Sequence, residues 1–166
     1  MVRLVVLLIL GGAIVLVPSV TNATEVRERR PNLVDGELLG RAPLLSVGYE
    51  RSLTSQIGVG ARVGYLPELP DQATETLSTS LYISVIPFGE THSPYLSTGV
   101  RYTSSGVSGG TSLYPFLSGG YQYQSQRGFF LRATVTWIDG SAESALSVRA
   151  WGSSAVIPGL ALGYSF

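Results

Sequence analysis

The stretch that decides the fold is Ile157-Pro158-Gly159-Leu160-Ala161-Leu162-Gly163-Tyr164-Ser165-Phe166. Taken at a period of two, Leu160, Leu162, Tyr164 and Phe166 share one face, and Gly159, Ala161, Gly163 and Ser165 share the other. Side chains alternate across a β-strand, so this segment is a strand set between two unlike surroundings. A core or edge strand of a soluble protein is the plain alternative. The choice depends on whether the rest of the chain repeats the pattern.

It does. From Asn32 onward, runs of about ten residues alternate apolar with small or polar positions and are separated by turn signals. Eight strands are expected, over 32–40, 43–52, 56–66, 77–88, 94–104, 112–124, 128–138 and 157–166. The third is the clearest: Ile57, Val59, Ala61, Val63 and Tyr65 oppose Gly58, Gly60, Arg62 and Gly64. In the seventh, Phe129, Leu131, Ala133, Val135 and Trp137 oppose Phe130, Arg132, Thr134 and Thr136. An amphipathic helix would space its apolar residues by three and four instead. Half-apolar strands of about ten residues have the length needed to cross a bilayer at a tilt.

Connection lengths suggest the topology. The links after strands two, four and six are short, and those after three, five and seven are longer. Transmembrane barrels have an even strand count, short periplasmic turns and longer outer loops. The expected fold is therefore an all-β, eight-stranded antiparallel up-and-down transmembrane β-barrel with both strand ends on the periplasmic side. Tyr49, Tyr121, Tyr123, Phe129, Tyr164 and Phe166 then fall near periplasmic strand ends on the apolar face. Tyr65, Tyr102 and Trp137 fall near the outer ends. Rings with a polar edge favour the two membrane interfaces, so these residues are read as an aromatic girdle.

Eight strands leave an interior just wide enough for side chains. By alternation it receives Tyr82, Tyr95, Phe116 and Phe130, together with Asp35, Glu37, Glu50, Arg62, Arg101 and Arg132. Three acids against three arginines suggest an ion-pair network that plugs the bore, since an unpaired buried charge costs several kcal/mol. Guanidinium suits the role through forked bonds to carboxylates.

The first residues point to export. Arg3, the apolar run 4–17 and the segment Pro18-Ser19-Val20-Thr21-Asn22-Ala23 fit a cleaved signal peptide over residues 1–23. A membrane anchor needs roughly 20 apolar residues, and Pro18 breaks the run too early. Residues 24–31 are read as a short periplasmic linker, a solvated tail without a role, and 32–166 as the barrel. No later stretch is long enough for a spanning helix. Of the 166 residues 11 are basic and 11 acidic, so there is no basic footprint for nucleic acid. Without Cys there is neither a disulfide framework nor a thiolate metal site.

The segments Glu37-Leu38-Leu39-Gly40, Ser46-Val47-Gly48-Tyr49-Glu50-Arg51, 57–65, Gly128-Phe129-Phe130-Leu131-Arg132-Ala133 and 158–166 resemble small bacterial outer-membrane β-barrel proteins. The likeness is to uncharacterised barrels of Bacteroidetes-like bacteria and, more loosely, to outer-membrane protein A-type barrels. It implies outer-membrane lipid and the barrel-insertion machinery as partners. It also implies Leu160, Leu162, Tyr164 and Phe166 as the insertion signal. No peptidoglycan-binding domain follows the barrel in this sequence, so anchoring of that kind is not expected.

Some barrels of this kind are enzymes that use Ser and His on lipid A. Here the single His92 is expected in a turn, with Ser93 and Glu90 only as sequence neighbours. A nucleophile needs a base within hydrogen-bond reach, so a solvated His is the reading. Glu68, Asp71, Glu75, Asp139 and Glu143 match no calcium-loop spacing. The 105–110 Gly/Ser run is no phosphate loop, because no Lys follows it. No catalytic residue, cofactor or metal is expected, and the protein is read as a monomer with a structural, adhesive or narrow-pore role. The alternatives are a lipid A-modifying outer-membrane enzyme and a secreted lipocalin-like ligand-binding barrel. The latter requires large apolar side chains inside, so side-chain direction in the third strand discriminates.

Overall fold

The alternation written in the sequence becomes a ladder of antiparallel strands. The computed structural model describes residues 25–41, 44–66, 76–88, 91–105, 111–139, 148–151 and 154–166. Residues 1–23, expected to be a signal peptide, lie outside them. A short helix α1 (Glu25–Arg29) precedes β1 (Asn32–Leu39), β2 (Leu45–Ser52), β3 (Ile57–Leu66), β4 (Thr76–Val85) and β5 (His92–Ser105). The strands β6 (Thr111–Gln124), β7 (Phe129–Ile138), β8 (Val148–Trp151) and β9 (Ser154–Ser165) follow.

Strands β1–β7 and β9 form a closed eight-stranded antiparallel barrel, each pairing with the next and β9 pairing back to β1. At the seam Asn32 and Phe166 exchange both backbone bonds, 3.1 Å and 2.8 Å. Closure leaves no unpaired edge along the wall, which is what makes a strand array tolerable outside water. The start of β1, the end of β9 and the turns after β2, β4 and β6 share one end, the terminal end. The links after β1, β3, β5 and β7 share the opposite link end.

Proline positions record the stagger of the strands. Pro94 lies beyond the last β4–β5 pair, Leu96 with Val85. Pro115 lies beyond the last β6–β7 pair, Phe116 with Ile138. Pro158 lies beyond the last β1–β9 pair, Leu39 with Gly159. Each stands where one neighbour has run out, the position in which a missing N–H costs the ladder least. Gly128, at φ 101°, makes the turn into β7 that an L side chain would resist.

Four expectations change. The segment 24–31 is not a featureless tail, because it holds α1, and Arg27 on that helix is 2% exposed. His92 is not in a turn but is the first residue of β5, opposite Tyr123, since β6 runs on to Gln124 and its ladder continues that far. The last strand begins at Ser154 rather than residue 157, and 139–156 contains β8, which pairs with β9 above the point where β1 ends. Finally, β5 and β6 leave only residues 106–110 between them, no more than the 86–91 link after β4. The contrast in link length therefore rests on the links after β3 and β7.

The two faces of the wall are chemically opposite. Val59, Val63, Leu131, Val135 and Leu162 point outward and are 37–55% exposed. Exposed large apolar residues come from every barrel strand. Inside lie two small apolar clusters, Tyr82, Phe116, Ile138 and Ile157 in one and Leu33, Phe130 and Ala161 in the other. Apart from those of Ile86, Tyr95 and Ala155, the other buried side chains among the described residues are polar or charged.

Candidate functional site: the charged barrel interior

Period two sends Asp35 and Glu37 of β1, Glu50 of β2, Arg62 of β3, Arg101 of β5 and Arg132 of β7 to the inner face, all buried. Long charged side chains from different strands meet there because the bore is narrow. Glu50 Oε2 lies 3.2 Å from Arg132 Nη2. Asp35 accepts from Arg62 Nη2 through Oδ1, while its Oδ2 lies 4.0 Å from Arg132 Nη1. Arg62 Nε faces Glu37 Oε2 at 3.0 Å, a charge contact outside hydrogen-bond alignment.

Two further arginines join that the alternation of the strands did not supply. Arg27 of α1 enters from the terminal end and donates to Glu50 Oε1 at 2.6 Å. Arg41, just past β1, reaches in from the link end and donates to Glu37 Oε2 at 3.2 Å and to the Tyr95 hydroxyl at 2.6 Å. The result is an alternating string, Arg27–Glu50–Arg132–Asp35–Arg62–Glu37–Arg41, in which every acid touches two arginines. Arg41 was legible in principle, since it continues the inward parity of Asp35 and Glu37 beyond the strand. Arg27 was not, because no period links a helix residue to a strand face.

Neutral groups complete the lining. Ser84 Oγ donates to Glu50 at 2.7 Å, and Arg62 donates to Ser46 Oγ at 2.9 Å. Arg132 donates to Gln122 Oε1 at 2.7 Å, and Gln122, Gln124 and Ser165 carry the chain of bonds on to the Gly128 carbonyl. The Arg132 guanidinium sits 3.8 Å over the Tyr95 ring and that of Arg41 4.7 Å over Tyr82. Aromatic faces thus take up part of the positive charge. Gly60 and Gly48 make room: a Cβ at Gly60 would enter the Tyr82 ring, and one at Gly48 would lie 2.6 Å from Arg62 Nη2. Burial lowers the pKa of Arg27 from its ordinary value, and the neighbouring Glu50 opposes that.

The α1 segment is fastened by more than Arg27. Arg30 donates to the Arg127 carbonyl at 2.7 Å and the Tyr164 hydroxyl at 3.1 Å, and the Ser52 amide bonds the Pro31 carbonyl at 2.7 Å.

The aromatic residues singled out above stand on the outer face. Tyr49, Tyr121, Phe129, Tyr164 and Phe166 are exposed toward the terminal end, and Tyr65, Tyr102 and Trp137 toward the link end. Tyr123 is partly covered by the His92 ring, 5.0 Å away. Leu160 and Leu162 continue the outward row that ends in Tyr164 and Phe166.

His92 Nδ1 lies 2.8 Å from the Tyr121 hydroxyl on the outside of the wall, away from the buried charges. Glu68, Asp71, Glu75, Glu90 and Glu143 fall outside the described residues, and among those described no group of acids and His is arranged to hold a metal. A shallow trough of about 730 Å³ on the outer wall is lined mainly by apolar groups, including Val59, Leu81, Ile83 and Val100, with Arg51 in its lining.

The fold has counterparts of known structure. The chain is similar to the crystal structure of the N-terminal β-barrel domain of Pseudomonas aeruginosa OprF. That match has a TM-score of 0.58 at 16% identity and covers 82% of this chain and 98% of that one. Neisserial surface protein A aligns at a TM-score of 0.47 with 11% identity, covering 81% and 94%. The sequence itself matches no protein-family model and no curated protein. At such identities the OprF likeness shows a shared barrel fold.

Proposed function

We propose that this protein is an integral outer-membrane β-barrel whose bore is closed by its own charges, acting as a structural or adhesive element or as a very narrow pore. One observation carries the reading: each of the eight barrel strands turns large apolar side chains outward while arginines and carboxylates are enclosed. A continuous apolar belt of that size is unfavourable in water and suited to acyl chains. The arrangement is opposite to that of a lipocalin-like barrel, which would enclose Val59, Val63 and Leu131. Aromatic residues exposed toward both ends fit a girdle at two interfaces. The outward row of β9 suits recognition by the insertion machinery.

A closed bore is supported by the string of ion pairs and by α1 at the terminal end. A non-enzymatic role is supported by the apolar lining of the lateral trough and by the distance in fold between His92 and the buried acids. The test is membrane fractionation with heat-modifiable gel migration, followed by single-channel recording in planar bilayers. Outer-membrane recovery, a faster-migrating unheated form and conductance near zero are the expected results. A mature protein that stays in the aqueous fraction without detergent overturns the proposal.

A further inference from the structure

The outer wall carries almost no charge. Of the outward-facing residues described on the eight barrel strands, Arg51 is the only Asp, Glu or Arg. It is exposed and next to last in β2, which sets it at the terminal rim. It is also the one cation among the described residues lining the trough of about 730 Å³.

Strand register gives that trough a direction. Arg51 of β2 pairs with Val59, Val59 with Ile83, and Ile83 with Thr98 of β5. Barrel strands are tilted, so a path straight across them also moves along the barrel axis. Arg51 is at the end of its strand, whereas Thr98 stands near the middle of β5. The trough therefore descends from the rim into the wall. Three strand spacings make it roughly 14 Å long, close to the about 15 Å that one leaflet contributes to the hydrocarbon core. In the next row the small Ala61 lies between Tyr49 and Leu81 and lowers the floor. The Tyr49 hydroxyl donates to Asn32 Oδ1 at 2.7 Å, and that of Thr98 donates to the Phe116 carbonyl at 3.1 Å. With both hydroxyls engaged, the surface below Arg51 is apolar.

A cation at the head of an apolar channel complements a phosphate at the head of an acyl chain. We propose that the trough binds one phospholipid, a site that rests on the membrane reading above. Arg51 holds the phosphate through forked hydrogen bonds, and one acyl chain runs over Ala61 toward Thr98. A peptide strand is not the occupant, because β2 to β5 are each paired on both sides here and offer no free backbone edge.

The test uses the full mature chain refolded in detergent and titrated with dipalmitoyl phosphatidylglycerol, with retained lipid counted by native mass spectrometry. Saturation at one lipid per barrel is expected. Arg51→Gln should weaken binding about tenfold through loss of a charged hydrogen bond. Ala61→Phe fills the floor and should abolish it. Heat-modifiable migration should be kept in both variants, since both positions are exposed. Dipalmitoylglycerol, with the same chains and no phosphate, should bind the parent no better than the phospholipid binds Arg51→Gln. A photoreactive group on the acyl chain should label Ile83 and Thr98 in preference to Leu131 and Leu162 on the far wall. Several lipids held alike by parent and variants, or even labelling around the wall, mean that Arg51 only reaches bulk headgroups. Either result overturns the site and leaves the membrane reading standing. A mature chain that stays in the aqueous fraction without detergent overturns both.

Discussion

Glu50 is the residue on which most of the interior depends. It holds one arginine from the wall and one from α1, and its oxygens also accept from Ser84 and Tyr82. Replacing one member of a buried pair leaves its partners charged and unmatched. Glu50→Gln is therefore expected to destabilise the barrel by about 3–5 kcal/mol in urea unfolding from lipid vesicles. The exposed Asp139→Asn should shift it by less than about 0.5 kcal/mol. Gly60 makes a steric case: Gly60→Leu has to displace the Tyr82 ring, and overpacking of this kind costs about 1–3 kcal/mol in the same assay. Which residues face inward was readable along each strand. How many cations would gather was not. The sequence pattern balanced three acids with three arginines, but Arg41 enters from a turn and Arg27 from a helix. Contacts across a closed bore have no signature in local spacing.

Among the elements, the strands were legible because each had to satisfy two different media, which writes a period of two into the residues. Their ends were less so. His92 joins β5 and Ser154 joins β9 only because a neighbouring strand extends far enough to pair with them, and no single strand carries that information. The short helix α1 was invisible for a related reason: five residues with no periodicity are placed by the barrel they touch. Its expected effect is on permeation. Arg27→Gln should raise the open probability in planar bilayers several-fold over the parent, if α1 closes the terminal end as proposed. Deleting Phe166 should instead reduce the yield of heat-modifiable barrel in cells, which separates assembly from gating.

For the whole molecule the decisive property is the medium around it. Leu81 stands midway along β4 on the outer face, and Leu45 stands at the link-end rim of β2. In a bilayer Leu81→Arg should cost about 2–4 kcal/mol and Leu45→Arg about 0–1 kcal/mol, measured by folding into lipid vesicles. A barrel surrounded by water would show no such dependence on depth. The charge distribution adds a second asymmetry. By sequence, the segments 67–75 and 139–153 that follow β3 and β7 carry five acids and one arginine.

The shared carboxylate has a consequence for the order of assembly. Glu50 belongs to the first hairpin and Arg132 to β7, so the cradle that receives Arg27 is complete only once the two sides of the sheet have met. Residues 27–30 are thus a latch that engages a finished cylinder and ignores an open one. During refolding, tryptic cleavage after Arg27 and Arg29 should persist until the fast-migrating form has appeared, and only then fade.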